Sequence, residues 1–137
     1  MKKIKIPLDI YKRNEYELFN YKTLLKKIKE REDVILHSSP SNDGQPRGNQ
    51  TTDTTGNTAQ RLIEDKILNT MRARLEPIER MLNTLSEEEK EFFEFIFIKK
   101  KTWQYFEINL YISRPTYYRI KRKLITMLAL EEGDLTN

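Results

Sequence analysis

The run from Ser113 to Leu124 constrains this chain more than any other stretch, because its residues sort into two opposite faces on a helical period. Ser113 suits an N-cap, since its hydroxyl can accept from a free amide of the first turn. Pro115 fits that turn, where its missing N–H has no partner to lose. Counting on from the cap, Tyr117, Ile120, Leu124 and Leu128 recur at spacings of three and four and share one face. Pro115, Tyr118, Arg119 and Arg122 share the opposite face, which carries an aromatic and no acid. The first face needs a core; the second is left to point outward. Just upstream, Thr102 can cap a short helix carrying Trp103, Phe106 and Leu110, and residues 110–112 read as a turn with Ile112 tucked beneath it. Two short helices joined tightly, the second longer and basic, form the unit that lays a helix in the major groove of DNA. The turn lacks the glycine usual there.

Charge follows the same boundary. Between Lys99 and Lys123 eight Lys or Arg residues stand against one acid, Glu107, a far steeper excess than the net +4 of the whole chain. Such clustering is the electrostatic footprint expected on a polyanion, nucleic acid above all. Arg114, Thr116, Tyr118, Arg119 and Arg122 are the candidates for base-edge contacts, because Arg pairs bidentately with guanine and Thr or Tyr can bond to or pack on thymine. Lys99, Lys100, Lys101, Lys121 and Lys123 are the candidates for phosphate contacts.

Composition narrows the remaining classes. The chain of 137 residues has room for one ordinary domain with appendages, and 37% hydrophobic against 34% charged residues means a small core under an ionic surface. There is no cysteine, which removes disulfides and thiolate metal sites. One histidine, His37, stands in a polar tract, so neither a histidine metal cluster nor a triad of the usual kind can be assembled. No cofactor is expected, and enzyme is the class least supported. The basic start Met1–Pro7 is not followed by an apolar stretch of signal-peptide length, and no run approaches a membrane span, so a cytoplasmic protein of a bacterial host cell is expected.

Along the chain, residues 1–36 are expected to form an N-terminal helical element. Tyr11, Leu18, Tyr21, Leu25, Ile28 and Ile35 fit a heptad frame that Asn14 and Glu32 break, and Asp9 is a candidate cap. Such a helix must pack on the body or on a second copy, so it is a candidate oligomerisation element. Residues 37–58 change character: 18 of these 22 positions are Ser, Thr, Asn, Gln, Gly or Pro, the composition of a flexible linker. Gly44 and Gly48 bracket Arg47 there, but the lysine and hydroxyl of a phosphate loop are absent. Residues 59–137 are expected to form the DNA-binding domain. Leu68, Met71, Leu75, Ile78, Leu82 and Leu85 make a spine that Pro77 should kink or split near Glu76. Ser86 and Glu89 spell a capping box, and the acids at 87, 88, 89 and 91 suit the positive end of that helix better than they suit catalysis. Phe92 to Ile98 is apolar nearly all round, with Phe92 and Ile96 expected against the helix-turn-helix and Phe95 or Ile98 against the spine or a partner. The acidic tail after Leu130 should end the last helix at Gly133 and fray.

The C-terminal half, roughly 76–133, resembles the RinA-type late transcription activators of phages and prophages of Gram-positive bacteria and the related ArpU group. The likeness is carried by Ile78–Asn83, Glu89–Phe92, Ile112 and Ser113 with Thr116, Arg119–Leu124, and Leu128 with Ala129. Pro77 and the Tyr117–Tyr118 pair depart from the pattern. The resemblance implies a small activator that binds a promoter region upstream of packaging, head and lysis genes, with a C-terminal part like region 4 of a sigma factor. The expectation is thus an all-α fold: a separate N-terminal helix, a polar linker and a sigma-region-4-like helix-turn-helix bundle. The expected partners are double-stranded DNA, host RNA polymerase and a second copy of the chain. The competing readings are a small terminase subunit, which would form a ring, and a protein-binding module that grips its partner with the aromatic helix 92–98.

Overall fold

A computed structural model describes residues 5–37 and 54–135, with side chains from Thr58 onward in the second stretch. Most of the polar tract, including the Gly44–Gly48 loop, lies outside the described residues. Within them the regular elements are helices: α1 (Leu8–Phe19), α2 (Tyr21–His37), α3 (Thr54–Glu64), α4 (Lys66–Thr84), α5 (Glu87–Phe93), a π-helical segment (Glu94–Ile98), α6 (Trp103–Leu110) and α7 (Arg114–Glu132). The all-α expectation holds. His37 and Thr54 to Thr58 belong to helices, so the described structure reaches into both ends of the expected linker.

Three boundaries differ from the expectations, each for a local reason. The N-terminal segment is two helices, parted at Asn20, whose side-chain amide donates to the Tyr16 carbonyl at 2.8 Å while its own backbone N–H bonds the same oxygen. Asp9 does not cap α1; it lies inside the first turn, where its charge still suits the helix dipole. The helical stretch after the polar tract is broken at Asp65, just ahead of the Leu68–Leu85 spine, and is not split at Pro77. Asp65 caps α4 by accepting from the Leu68 amide at 2.8 Å, and it takes two bonds from Arg31, at 2.7 and 3.0 Å. That fork holds its carboxyl down at about 2. Pro77 sits inside the continuous helix α4.

The N-terminal helices are not separate from the body. Leu18 is fully buried among Ile78, Met81, Phe97, Leu124 and Leu128, and each such burial stabilises by about 1.5–3 kcal/mol. Ile28 and Ile35 of α2 close a second, smaller core on Leu68. Leu18, Tyr21, Ile28 and Ile35 of the heptad frame are therefore covered within the chain, by the spine, the aromatic run 92–98 and α7. Phe92 to Ile98 is apolar all round because it has two sets of neighbours. Phe92 and Phe95 stack toward Phe106 of α6, both with ring centres 6.1 Å away. Phe97 meets Phe19 at 4.9 Å and Phe93 meets Tyr21 at 5.8 Å. Phe95 thus faces α6, not the spine. The π turn at this point is closed by the Lys99 amide bonding the Glu94 carbonyl at 2.8 Å.

Candidate nucleic-acid interface

α6 and α7 are joined by residues 111–113, and the join needs no glycine because Tyr111 itself enters the left-handed region, at φ 56°. The Ile112 amide then reaches back to the Phe106 carbonyl at 3.1 Å and closes the end of α6. Lys100 does the same before α6, at φ 55°, with the Lys101 amide on the Phe95 carbonyl at 2.8 Å. Each such residue costs about 1–2 kcal/mol against glycine. Ser113 caps α7 as expected, accepting from the Thr116 amide at 3.4 Å and donating to its hydroxyl at 2.9 Å. Gly133, at φ 81°, ends the helix.

The inward face of α7 is Tyr117, Leu124, Ile125, Leu128 and Ala129, with Ile120 partly covered. Tyr117 also fixes the loop before α6: its hydroxyl donates to the Lys101 carbonyl at 3.1 Å, and burial raises its pKa. The outward face brings together Arg114, Pro115, Tyr118, Arg119 and Arg122, all exposed. Arg119 and Arg122 pair with no acid among the described residues. Arg114 is held differently. Its guanidinium carbon lies 4.7 Å from the centre of the Trp103 ring and 5.9 Å from that of Tyr118.

The lysines divide. Lys99 and Lys101 rest over Phe95 and Tyr105, at 5.0 and 4.8 Å, and Lys100 is exposed between them. All three stand at the start of α6, where Thr102 occupies the cap position without a side-chain bond to the first turn. Bare first-turn amides beside three lysines can take a phosphate oxygen. A cleft of about 290 Å³ runs from there between Lys100, Lys101, Trp103, Gln104 and Tyr118 to Phe19 of α1.

Three candidates are not brought to that face. Lys121 is 13% exposed, its ammonium 2.7 Å from Glu15 of α1 and over the Phe19 ring at 5.2 Å. Lys123 lies on the flank, 2.6 Å from Glu89, whose pKa it lowers, while Glu89 also completes the capping box with Ser86. Thr116 lines a groove of about 560 Å³ between α5 and α7 together with Ile120 and Lys123, its hydroxyl engaged by Ser113.

Sequence reasoning missed α1 as a neighbour of α7. Burial, and then the Glu15 carboxylate, raise the Tyr11 phenol, while Arg122 of α7 pulls the other way. The acidic tail is also used. Arg13 bonds Glu132 and Asp134, and Arg80 bonds Glu131 at 3.3 Å. No local signal marks these contacts; the only trace is basic residues upstream, at 13 and 80, that complement the acidic tail. Among the described residues no group of His, Asp or Glu is suited to hold a metal ion, and no helix is long and apolar enough to cross a membrane.

Fold and site together define an all-α protein whose last long helix follows a short turn and carries a basic outward face. The chain belongs to a family described as a protein of unknown function, DUF722, whose model matches residues 18–129. It is also similar to the transcriptional activator RinA of Staphylococcus phage phi11, with 40% identity over 57 residues, 42% of this chain. The match spans 41% of that protein's length. The resemblance to RinA-type activators is thereby supported. No solved structure matches the chain.

Proposed function

We propose that the chain binds double-stranded DNA through α7 and activates transcription of phage late genes, those for packaging, head and lysis, in the cytoplasm of a bacterial host. The observation that carries this reading is the acid-free outward face of α7, where Arg114, Arg119 and Arg122 stand exposed above a buried apolar face. Lys99 to Lys101 and the uncapped start of α6 supply the phosphate contacts that set the register. The name of the phage relative, a transcriptional activator, supports the direction of the effect. Host RNA polymerase is the second partner of this reading. A second copy is the third, since paired modules read a DNA site better than one. With both seams covered within the chain, that contact falls to exposed apolar residues such as Leu36 and Ile67.

The test is a titration on the cognate upstream duplex and on scrambled DNA at several salt concentrations. Arg119→Ala should cost roughly 1–3 kcal/mol on the cognate site and little on the scrambled one. Lys100→Ala should weaken both alike and reduce the salt slope by about one. Equal losses for Arg119→Ala on both duplexes would remove it from the base-reading set, and absence of binding to any duplex at low salt would sink the reading.

A further inference from the structure

Arg114 and Trp103 are the first residues of α7 and α6, and their side chains meet across the turn that joins those helices. The guanidinium lies over the Trp103 ring at 4.7 Å, and Tyr118, one helical turn further along α7, closes on it at 5.9 Å. An arginine stacked on a ring keeps the edge of its guanidinium fork unobstructed, because the five N–H donors lie in its plane. Among the described residues no acid pairs with it, and its side chain makes no hydrogen bond there. Arg119 and Arg122 share the outward face but rest on no ring, so they must be ordered when DNA binds.

We propose that Arg114 is a guanine-reading residue of this interface and that Trp103 and Tyr118 are positioning residues that hold its plane before DNA arrives. The inference rests on the DNA-binding reading above and adds which base is read and by which group. A guanine presents O6 and N7 in the major groove, the acceptor pair that a planar fork matches with two parallel bonds. A side chain already held in that plane loses less freedom on binding, so more of the interaction appears as discrimination. Tyr118 then serves as a wall of the clamp and not as a thymine contact.

The experiment is selection of bound duplexes from a random pool by the full chain, by Arg114→Lys, by Trp103→Phe and by Trp103→Ala, with thermal unfolding of each variant alongside. Wild type should enrich a motif containing a guanine that Arg114→Lys no longer selects, although charge and binding to bulk DNA are kept. Trp103→Ala should relax the same position, and Trp103→Phe should retain it. Replacing that guanine by 7-deazaguanine, which lacks the N7 acceptor, should weaken wild type roughly tenfold and Arg114→Lys hardly at all. If Arg114→Lys selects the wild-type motif unchanged, the assignment of Arg114 is overturned while the DNA-binding reading stands. If wild type enriches no sequence, that reading falls and this inference with it. Arg114 is exposed, so its variant tests the proposal even if Trp103→Ala unfolds.

Discussion

Glu15 and Lys121 stand near opposite ends of the chain, yet their charged atoms are 2.7 Å apart where α1 crosses α7. On the proposed function, the pair takes Lys121 out of the set that would face DNA. Lys121→Ala should therefore leave the salt slope of DNA binding unchanged, whereas Lys100→Ala lowers it by about one. It should instead destabilise the fold by on the order of 1 kcal/mol, because Glu15 is left unpaired and a cation over Phe19 is lost. Binding isotherms at graded salt and a urea titration of the same variant separate the two effects.

Asn14 breaks the heptad frame in the sequence and is fully buried in the fold, with neither side-chain polar atom bonded to a partner. Leaving such groups unsatisfied costs about 1–3 kcal/mol. Asn14→Leu should raise stability by about that amount, read as a higher denaturation midpoint at unchanged slope. A lower midpoint would show that the amide is satisfied after all.

Tyr111 carries left-handed backbone with its side chain 91% exposed, so it holds strain and little packing. Tyr111→Gly should relieve about 1–2 kcal/mol of that strain and give back part of it as added freedom of the unfolded chain, for a net gain of about 0.5–1 kcal/mol. Tyr111→Val should destabilise, since a β-branched residue fits the left-handed region worse than tyrosine does. Melting both variants beside the wild type tests the sign in each direction.

The junction of α1 with the end of α7 should respond to pH. Burial, then the nearby Glu17 carboxylate, raise the Glu132 carboxyl from 4.5 to about 8, against the pull of Arg13. Asp134, Arg74, Arg80 and Glu131 border the same hollow. Below 4.5 the folded and unfolded chains both hold this proton. Between 4.5 and 8 only the folded chain keeps it, so this group's stabilisation is lost as pH rises through that window. Glu132→Gln should match the wild type near pH 5 and melt higher at pH 8.5. Parallel melting curves for the two proteins across that range would contradict the assignment.

The C-terminal half was legible because its signals are local. Ser113, Ser86 with Glu89, and Gly133 end or begin helices through atoms a few residues away, and each does what its sequence context predicts. The two faces of α7 follow from helical period alone. What the sequence hid depends on contacts between distant segments. Whether a lysine on α7 meets phosphate or Glu15 is decided by where α1 packs, and no spacing within 113–124 encodes that. The break at Asp65 was masked by Pro77, a strong local signal that tertiary packing overrides, whereas the fork from Arg31 that marks the true joint comes from another helix. The fate of the acidic tail was hidden in the same way, since its partners Arg13 and Arg80 lie far upstream.

The π turn at Glu94–Ile98 has a consequence for how this family can tolerate length changes. A π turn holds one residue more than an α turn, so it is what a helix looks like after absorbing a single inserted residue. Deleting one residue there would restore α geometry and leave everything downstream close to its present orientation. The same deletion from an α turn of α5 would swing the rest of the chain by about 100° about the helix axis. Phe97 would then leave Phe19, and α6 and α7 would turn relative to α1 and α4. A relative shortened by one residue within 94–98 should therefore keep α7 on the same side of the body, and one shortened within α5 should not.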